Sequence, residues 1–362
     1  MVKMSTFSWR GKSVFVTGHT GFKGGWLSLW LQQMGADVHG LSLNPQSDPA
    51  LFDAAEVAEG LSGDVRADLA DLDALKTALK TARPEVIFHL AAQSLVRYSY
   101  TNPLATFSTN IMGTANLLEA AREVDSVRAI VVVTTDKVYQ NAEQEIKFCE
   151  QDPLGGHDPY SASKAATEII TASYRTSFYN VSDGPPVEIA TARAGNVIGG
   201  GDWATDRLVP DCLQSFSRGQ TALLRYPNAV RPWQHVLEPL SGYLSLAEHL
   251  LSEDGANYAK AWNFGPDDSG DATVHTVAET AARFWGDGAI VAIESHDGHL
   301  HEAGLLKLNG ELARNELGWH PCWNLDQALE QTVAWYRQWQ KGGNMKSMCL
   351  DQINAYTAES GK

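Results

Sequence analysis

The sequence predicts an α/β protein: a doubly wound parallel sheet followed by a smaller α/β domain. Three observations predict it. Short apolar runs alternate with helix-length stretches, a glycine-rich turn joins the first run to the first helix, and Tyr160 and Lys164 stand four residues apart in a later helix. Alternation of this kind builds parallel strands with helices on both faces.

Each element has its own signal. Residues 13–17 are a short buried-strand pattern, followed at once by glycines and an apolar helix over about 26–34. Residues 36–42 read as a second strand. Residues 86–90 and 128–134 are two more, separated by a helix over 110–124, and 187–192 is another strand after the Tyr160 helix. Beyond Arg193 the periodicity loosens. Residues 199–203 are a glycine loop, and the proline- and tryptophan-bearing stretch 231–236 interrupts any clear period. We expect a dinucleotide-type domain over 1–193, with some later segments returning to it, a substrate domain over 194–345, and a tail over 346–362 that is either a terminal helix or a frayed end.

Composition bounds the function. With 362 residues, 44% hydrophobic and 20% charged, the chain can bury a substantial core. A net charge of -15 argues against nonspecific binding to nucleic acid or an anionic membrane. Any phosphate-bearing ligand must therefore meet local arginines or amides. Cys149, Cys212, Cys322 and Cys349 are scattered, without metal spacing, and read as reduced thiols. No apolar run spans a bilayer and no signal core opens the chain, so a cytoplasmic protein without a metal centre is expected.

The turn Gly18-His19-Thr20-Gly21-Phe22-Lys23-Gly24 places glycines at spacings of three between strand and helix. Glycine permits a tight turn and close approach to a pyrophosphate, and the helix N-terminus supplies free N–H donors. The spacing differs from the general G-x-G-x-x-G fingerprint, and an ordinary strand–helix turn is the competing reading. Residues 40–44 at the end of the second strand carry neither a carboxylate for a ribose nor a basic cluster for an extra phosphate. NAD is favoured over its phosphorylated form.

A tyrosine four residues before a lysine shares one helix face with it, where the ammonium favours the phenolate. That makes a usable base. By itself the pair is also compatible with an exposed turn, but Thr135-Asp136-Lys137 at the end of an apolar strand gives it company.

Taken together, Gly18, Gly21 and Gly24, the run His89-Leu90-Ala91-Ala92-Gln93, Thr134 to Lys137, and Tyr160 with Lys164 resemble the extended short-chain dehydrogenase/reductase superfamily, in its nucleotide-sugar-modifying branch. The longer motifs at 17–27, 135–139, 193–203 and 231–238 resemble, within that branch, the dehydratases acting on CDP-D-glucose. The resemblance implies NAD as cofactor, a nucleotide sugar (CDP-D-glucose) as substrate, and a homodimer or homotetramer. It places Gly18, His19, Thr20, Gly21, Phe22, Gly24, Asp68, Leu69, Ala91, Ala92 and Gln93 at the cofactor. Asp68 competes for the role of helix cap before Leu72. His89 reads as a satisfied core histidine, and Asn110 as a backbone tether near the site.

The resemblance further implies an internal oxidation, loss of water and reduction. Tyr160, kept ionised by Lys164 and the nicotinamide charge, would take the proton of the hydroxyl at carbon 4, with Thr135 holding that oxygen. Asp136, with its acidity weakened by burial, would protonate the departing hydroxyl at carbon 6. Lys137 stands where related enzymes carry a glutamate base, and is either the base itself or a cation stabilising the enolate. Asn196, Arg207 and Arg231 are candidate substrate ligands, and His301 and Glu302 candidates to close over it, each with a surface salt bridge or loop cap as the competing role. Trp203 and Trp233 stack on ligand or fill a domain interface. A nucleotide-sugar 4-epimerase, a GDP-mannose dehydratase and a non-catalytic dinucleotide sensor are the rival functions.

Overall fold

The computed structural model describes residues 7–179, 186–267, 270–286, 288–294 and 304–361. Six strands follow one another in the first half: β1 (Ser13–Thr17), β2 (Asp37–Ser42), β3 (Gly63–Arg66), β4 (Val86–His89), β5 (Ala129–Val133) and β6 (Glu188–Ala194). A later strand, β10 (Ala261–Phe264), joins them in a seven-stranded sheet of order β10-β6-β5-β4-β1-β2-β3. Every pairing in it is parallel. The order reverses between β1 and β4, which opens a crevice at their carboxyl ends.

The central strands are buried along their whole length. A parallel sheet covered on both faces needs apolar residues at every position, and the pleat divides them between two cores. In β5, Ile130 and Val132 enter one core, while Ala129, Val131 and Val133 enter the other.

Helix Phe22–Gln33 begins a turn earlier than the apolar run suggested, since Gly21 rather than a polar residue caps it. It is nearly apolar all round because helix Met345–Ser360 packs over it, with Trp30 edge-on to Tyr356 5.7 Å away. The last residues are thus a terminal helix. Tyr356 donates to the buried Glu238 at 2.6 Å.

Between β6 and β10 the chain forms β7 (Asn196–Ile198), helix Leu208–Ser217, β8 (Ala222–Leu224), β9 (Val230–His235) and helix Leu237–Leu250. After β10 come β11 (Asp271–Thr273), helix Val274–Trp285, β12 (Val291–Ile293) and helices Glu311–Glu316 and Leu325–Gln340. β11, β9 and β7 make a three-stranded sheet, and β12 pairs with β8. The stretch that interrupted the periodicity is therefore strand β9. Pro232 lies beyond the β7 ladder, which covers Trp233 to His235, and stands opposite Asp271 in the β11 ladder. Trp203 packs against Trp335, Tyr336 and Trp339, so it fills the interior. All four cysteines are free. Among the described residues no helix is long and apolar enough to cross a membrane.

Candidate active site

The glycine turn lies at the crevice. Gly18 has φ +77°, and a Cβ on it would stand 2.7 Å from the Ala91 nitrogen. A Cβ on Gly24 would come within 2.1 Å of the Gly18 carbonyl oxygen, so the first helical turn rests directly on the loop. Gly21 is exposed, and its helix has no side-chain cap, which leaves first-turn N–H groups for a ligand. These amides and that close approach fit a dinucleotide diphosphate.

Two neighbours serve differently from expectation. The His19 side chain is fully buried, its Nε2 2.8 Å from Asp64 Oδ1, and it packs beneath Gly40, where a Cβ would meet its ring at 2.4 Å. Burial lowers its pKa. Thr20 Oγ1 lies 2.8 Å from Ser42 Oγ and donates to the Leu43 carbonyl at 3.0 Å. Both pin the turn to the sheet, so His19 can offer a cofactor its backbone but not its imidazole. Phe22 is half-buried and packs toward Gly199.

Asp68 is exposed and does not cap the following helix; its Oδ1 accepts from Ala70 N at 2.9 Å. The cap is Asp71, which accepts from Ala74 N at 2.9 Å, because it lies one residue before Leu72. Leu69 turns its side chain into the core against Gly113. Ala91, Ala92 and Gln93 follow β4 and are half-buried at the crevice edge. Asn110, in a π-helical turn (Ser108–Met112), ties them down: its Oδ1 accepts from Gln93 N at 2.8 Å, while its Nδ2 donates to Gln93 O at 3.0 Å and Ser163 Oγ at 2.8 Å. His89 is a core residue, with Nδ1 2.7 Å from Thr17 Oγ1 and Nε2 3.0 Å from Thr114 Oγ1; burial pushes its pKa down to about 3.

Helix Pro159–Tyr174 starts where Asp158 accepts from Ser161 N at 2.9 Å and Pro159 fixes the first helical position. It carries Tyr160 and Lys164, 8% and 6% exposed. Lys164 Nζ donates to the Val133 carbonyl at 3.1 Å, and burial lowers its pKa to about 8. Burial likewise pushes the Tyr160 phenol up to about 12; a hydrogen bond with Thr135 works against this and the charge of Asp136 adds to it. The expected depression of the phenol by Lys164 is thus outweighed in the protein alone, because the ammonium is engaged by the main chain while the phenol is desolvated.

Thr135 Oγ1 donates to Asp136 Oδ1 at 2.9 Å. Asp136 is fully buried, and among the described residues its Oδ2 has no hydrogen-bond partner. Lys137 Nζ stands 3.6 Å from Asp136 Oδ1 and donates to Asn196 Oδ1 at 3.4 Å. β5 and β7 thereby bring Thr135, Asp136, Lys137 and Asn196 together.

Arg207 Nη1 pairs with Asp202 at 2.8 Å and its Nη2 donates to Ser94 Oγ at 2.9 Å, so it bridges the glycine loop and the segment after β4. Arg231 is buried on β9 and donates to the Val230 carbonyl at 2.9 Å. His301 and Glu302 lie outside the described residues. Sequence reasoning missed two features. Lys23 shares the electrostatic environment of Lys164, Arg207, Asp136 and Asp202. A buried pair, Glu168 with Arg193, braces the Tyr160 helix, with Arg193 Nε donating to Glu168 Oε1 at 2.9 Å.

The carboxyl edge of the parallel sheet gathers a glycine turn, a buried tyrosine–lysine pair and a threonine–aspartate–lysine run, on a doubly wound, Rossmann-type fold. The sequence profile of the family described as GDP-mannose 4,6 dehydratase matches residues 15–332, and the chain belongs to that family. It is 45% identical over 350 residues to a CDP-glucose 4,6-dehydratase of Salmonella typhimurium, covering 96% of this chain and 97% of that one. It is 26% identical over 366 residues to a dTDP-glucose 4,6-dehydratase of Xanthomonas campestris, covering 94% and 98%. Its fold matches a dTDP-glucose 4,6-dehydratase of Bacillus anthracis in complex with NAD, with TM-score 0.74, 22% identity, and 93% and 100% covered. It also matches a UDP-glucose 4-epimerase of Thermotoga maritima, with TM-score 0.77, 20% identity, and 90% and 99% covered.

Proposed function

We propose that this chain is a CDP-D-glucose 4,6-dehydratase, converting CDP-D-glucose to CDP-4-keto-6-deoxy-D-glucose and water. The observation that carries the reading is the buried Asp136, with one oxygen that has no partner among the described residues, between Thr135 and Lys137 and close enough to Tyr160 to act on its phenol. Simple epimerisation at carbon 4 has no use for an acid there. Elimination of a hydroxyl does.

NAD, held at the glycine turn, would supply the acceptor for the carbon 4 hydride and, once water has left, its source for carbon 6, with carbon 5 regaining a proton. Tyr160 takes the proton of the hydroxyl at carbon 4 as that carbon is oxidised, and Thr135 holds the oxygen through the same hydrogen-bonded group. The ketone acidifies the proton at carbon 5. Asp136 delivers its proton to the hydroxyl leaving carbon 6, which departs as water. Lys137, placed by Asp136 and Asn196, serves the loss of the carbon 5 proton, as its acceptor or as a donor to the enolate oxygen. Arg231, Arg207 and Asn196 are the groups we assign to the nucleotide sugar.

Purified protein given NAD and CDP-D-glucose should yield, after alkali, the ultraviolet absorbance of a 4-keto-6-deoxy sugar. No signal with CDP-D-glucose, but signal with GDP-mannose or dTDP-glucose, overturns the substrate. Lys137→Met should slow turnover of substrate deuterated at carbon 5 by on the order of 100-fold or more and suppress loss of label. Unchanged rate and label loss would remove Lys137 from the chemistry.

We also propose a homodimer. Leu104, Met112 and Ile169 are 81%, 55% and 60% exposed, on adjoining helical segments over 103–121 and 159–174. Exposed apolar residues grouped in this way fit a second copy of the chain. Light scattering should give twice the chain mass for the wild type and the monomer for Ile169→Glu; a wild-type monomer refutes it.

A further inference from the structure

Three contacts join helix Pro159–Tyr174 to the end of β5, and they come from one face of the helix. Tyr160 shares a hydrogen bond with Thr135, Lys164 donates to the Val133 carbonyl at 3.1 Å, and Thr134 Oγ1 donates to Glu168 Oε1 at 2.5 Å. Residues 160, 164 and 168 recur every four positions and so stack along a single stripe. The catalytic pair meets the strand through the first two contacts. The third, one turn further along, meets no reacting group.

Glu168 also reaches β6. Its other oxygen accepts from Thr191 Oγ1 at 2.6 Å, and Arg193 donates to both oxygens, at 2.9 and 3.0 Å. Each oxygen thereby accepts two hydrogen bonds, which fills the carboxylate and leaves it no lone pair for a ligand. Thr134, Thr191, Arg193 and Glu168 are all buried. β5 leads into Thr135, Asp136 and Lys137, and β6 leads through Gly195 to Asn196, which accepts from Lys137. One buried group therefore ties the Tyr160 helix to both strands whose ends carry the rest of the site.

Stability alone does not call for such a group, since well-packed hydrophobic residues often replace a buried ion pair at no cost. Apolar packing, however, fixes no distance along the strand. Directed hydrogen bonds do, and a displacement of about 1 Å at a reacting group costs about 100-fold in rate. We propose that Glu168 is a positioning residue, and that the hydroxyls of Thr134 and Thr191 are the pins through which it sets the register of Tyr160 and Lys164 against Thr135 and Asp136. Arg193 supplies the counterion, and the two hydroxyls supply the register. The inference rests on the reading of Tyr160 as the base of the first step.

The test removes the pins and spares the ion pair. Thr134→Val and Thr191→Val, singly and together, keep the branched shape of the side chain and leave Arg193 on Glu168. Ser241→Ala is the control, because it deletes a buried hydrogen bond among Trp319, Ser241 and Tyr356, none of them a site residue. Turnover of CDP-D-glucose should fall about 10-fold in each single variant and about 100-fold in the double, with KM within about twofold of wild type. Rapid mixing should show reduction of the cofactor slowed by the same factors, since the first step carries the loss. Thr134→Ser, which restores the donor, should recover most of the rate. Ser241→Ala should keep the wild-type rate even where its melting temperature falls as far as that of Thr134→Val. Turnover of the double variant within about twofold of wild type overturns the proposal. So does a loss that Thr134→Ser fails to recover, a loss matched by Ser241→Ala at equal melting temperature, or a raised KM at unchanged kcat. Tyr160→Phe, slow where the double variant is not, separates that failure from a failure of the base assignment. Wild type inert towards CDP-D-glucose but active on GDP-mannose or dTDP-glucose sinks the substrate assignment alone, and the same variants on that sugar then decide the role of Glu168.

Discussion

Tyr160→Phe is expected to lower turnover by about 10²- to 10⁴-fold while leaving the protein folded and able to bind NAD. In the proposed mechanism the hydroxyl removed receives the carbon 4 proton, so its loss should stop the first step. The backbone role of the residue survives, since Tyr160 N donates to Ser99 Oγ at 3.2 Å and its carbonyl accepts from Ser163 Oγ at 2.7 Å. Because burial holds the phenol at about 12 in the protein alone, bound cofactor and Lys164 must supply the charge that brings it into a working range. Rapid mixing of enzyme, NAD and CDP-D-glucose, followed at the absorbance of reduced nicotinamide, isolates this step. A variant that reduces the cofactor at the wild-type rate would take Tyr160 out of the chemistry.

Glu168→Ala should be the most destabilising of the changes considered, by about 3–5 kcal/mol. Glu168 is 4% exposed and fully engaged. Its Oε1 accepts from Thr134 at 2.5 Å and from Arg193 Nε at 2.9 Å, and its Oε2 accepts from Thr191 at 2.6 Å and Arg193 Nη2 at 3.0 Å. Arg193 Nη1 continues to Tyr139 Oη at 2.8 Å, and Tyr139 donates to Asn263 at 2.6 Å. Removing the carboxylate leaves a guanidinium buried without its counterion. Replacing both, as Glu168→Leu with Arg193→Met, should cost less than the single change, because no unpaired charge remains. Urea denaturation of the three proteins decides it. A double variant less stable than Glu168→Ala would show that the network does more than neutralise itself. Glu168 also sits one turn from Lys164 and is the group that raises its pKa, so the single variant should in addition leave Lys164 more readily deprotonated.

The sequence made visible those parts of the fold that rest on local patterns. β1, β4 and β5 are apolar runs because both sheet faces are covered, and Gly18, Gly21 and Gly24 announce a turn in which a Cβ at Gly18 or Gly24 would collide with backbone. Strand β3 was invisible: Gly63-Asp64-Val65-Arg66 is a short edge strand with its polar residues exposed, and it has no apolar run to betray it. β10 was hidden because its partner lies far back along the chain, a pairing that no local pattern encodes. Within the site, Tyr160, Lys164 and the residues 135–137 were legible from spacing and chemistry. Which way His19 faces was not, since its burial depends on Gly40 and Asp64 from other strands. The helix cap before Leu72 is Asp71 and not Asp68, a distinction that the local backbone decides. Lys23 did leave a sequence signal: a lone cation in the first turn of a helix, where acids are favoured.

The position of β10 also bears on how the chain is made. β6 holds the edge of the sheet, with seven buried residues from Glu188 to Ala194, until Ala261 to Phe264 pair with it. During synthesis that edge emerges from the ribosome well before its neighbour, which follows only after the whole excursion through β7, β8 and β9. For that interval the nascent chain presents an unpaired strand of the sort that seeks a partner on another chain. Vectorial synthesis therefore leaves one edge of this sheet open in the middle of the chain's length.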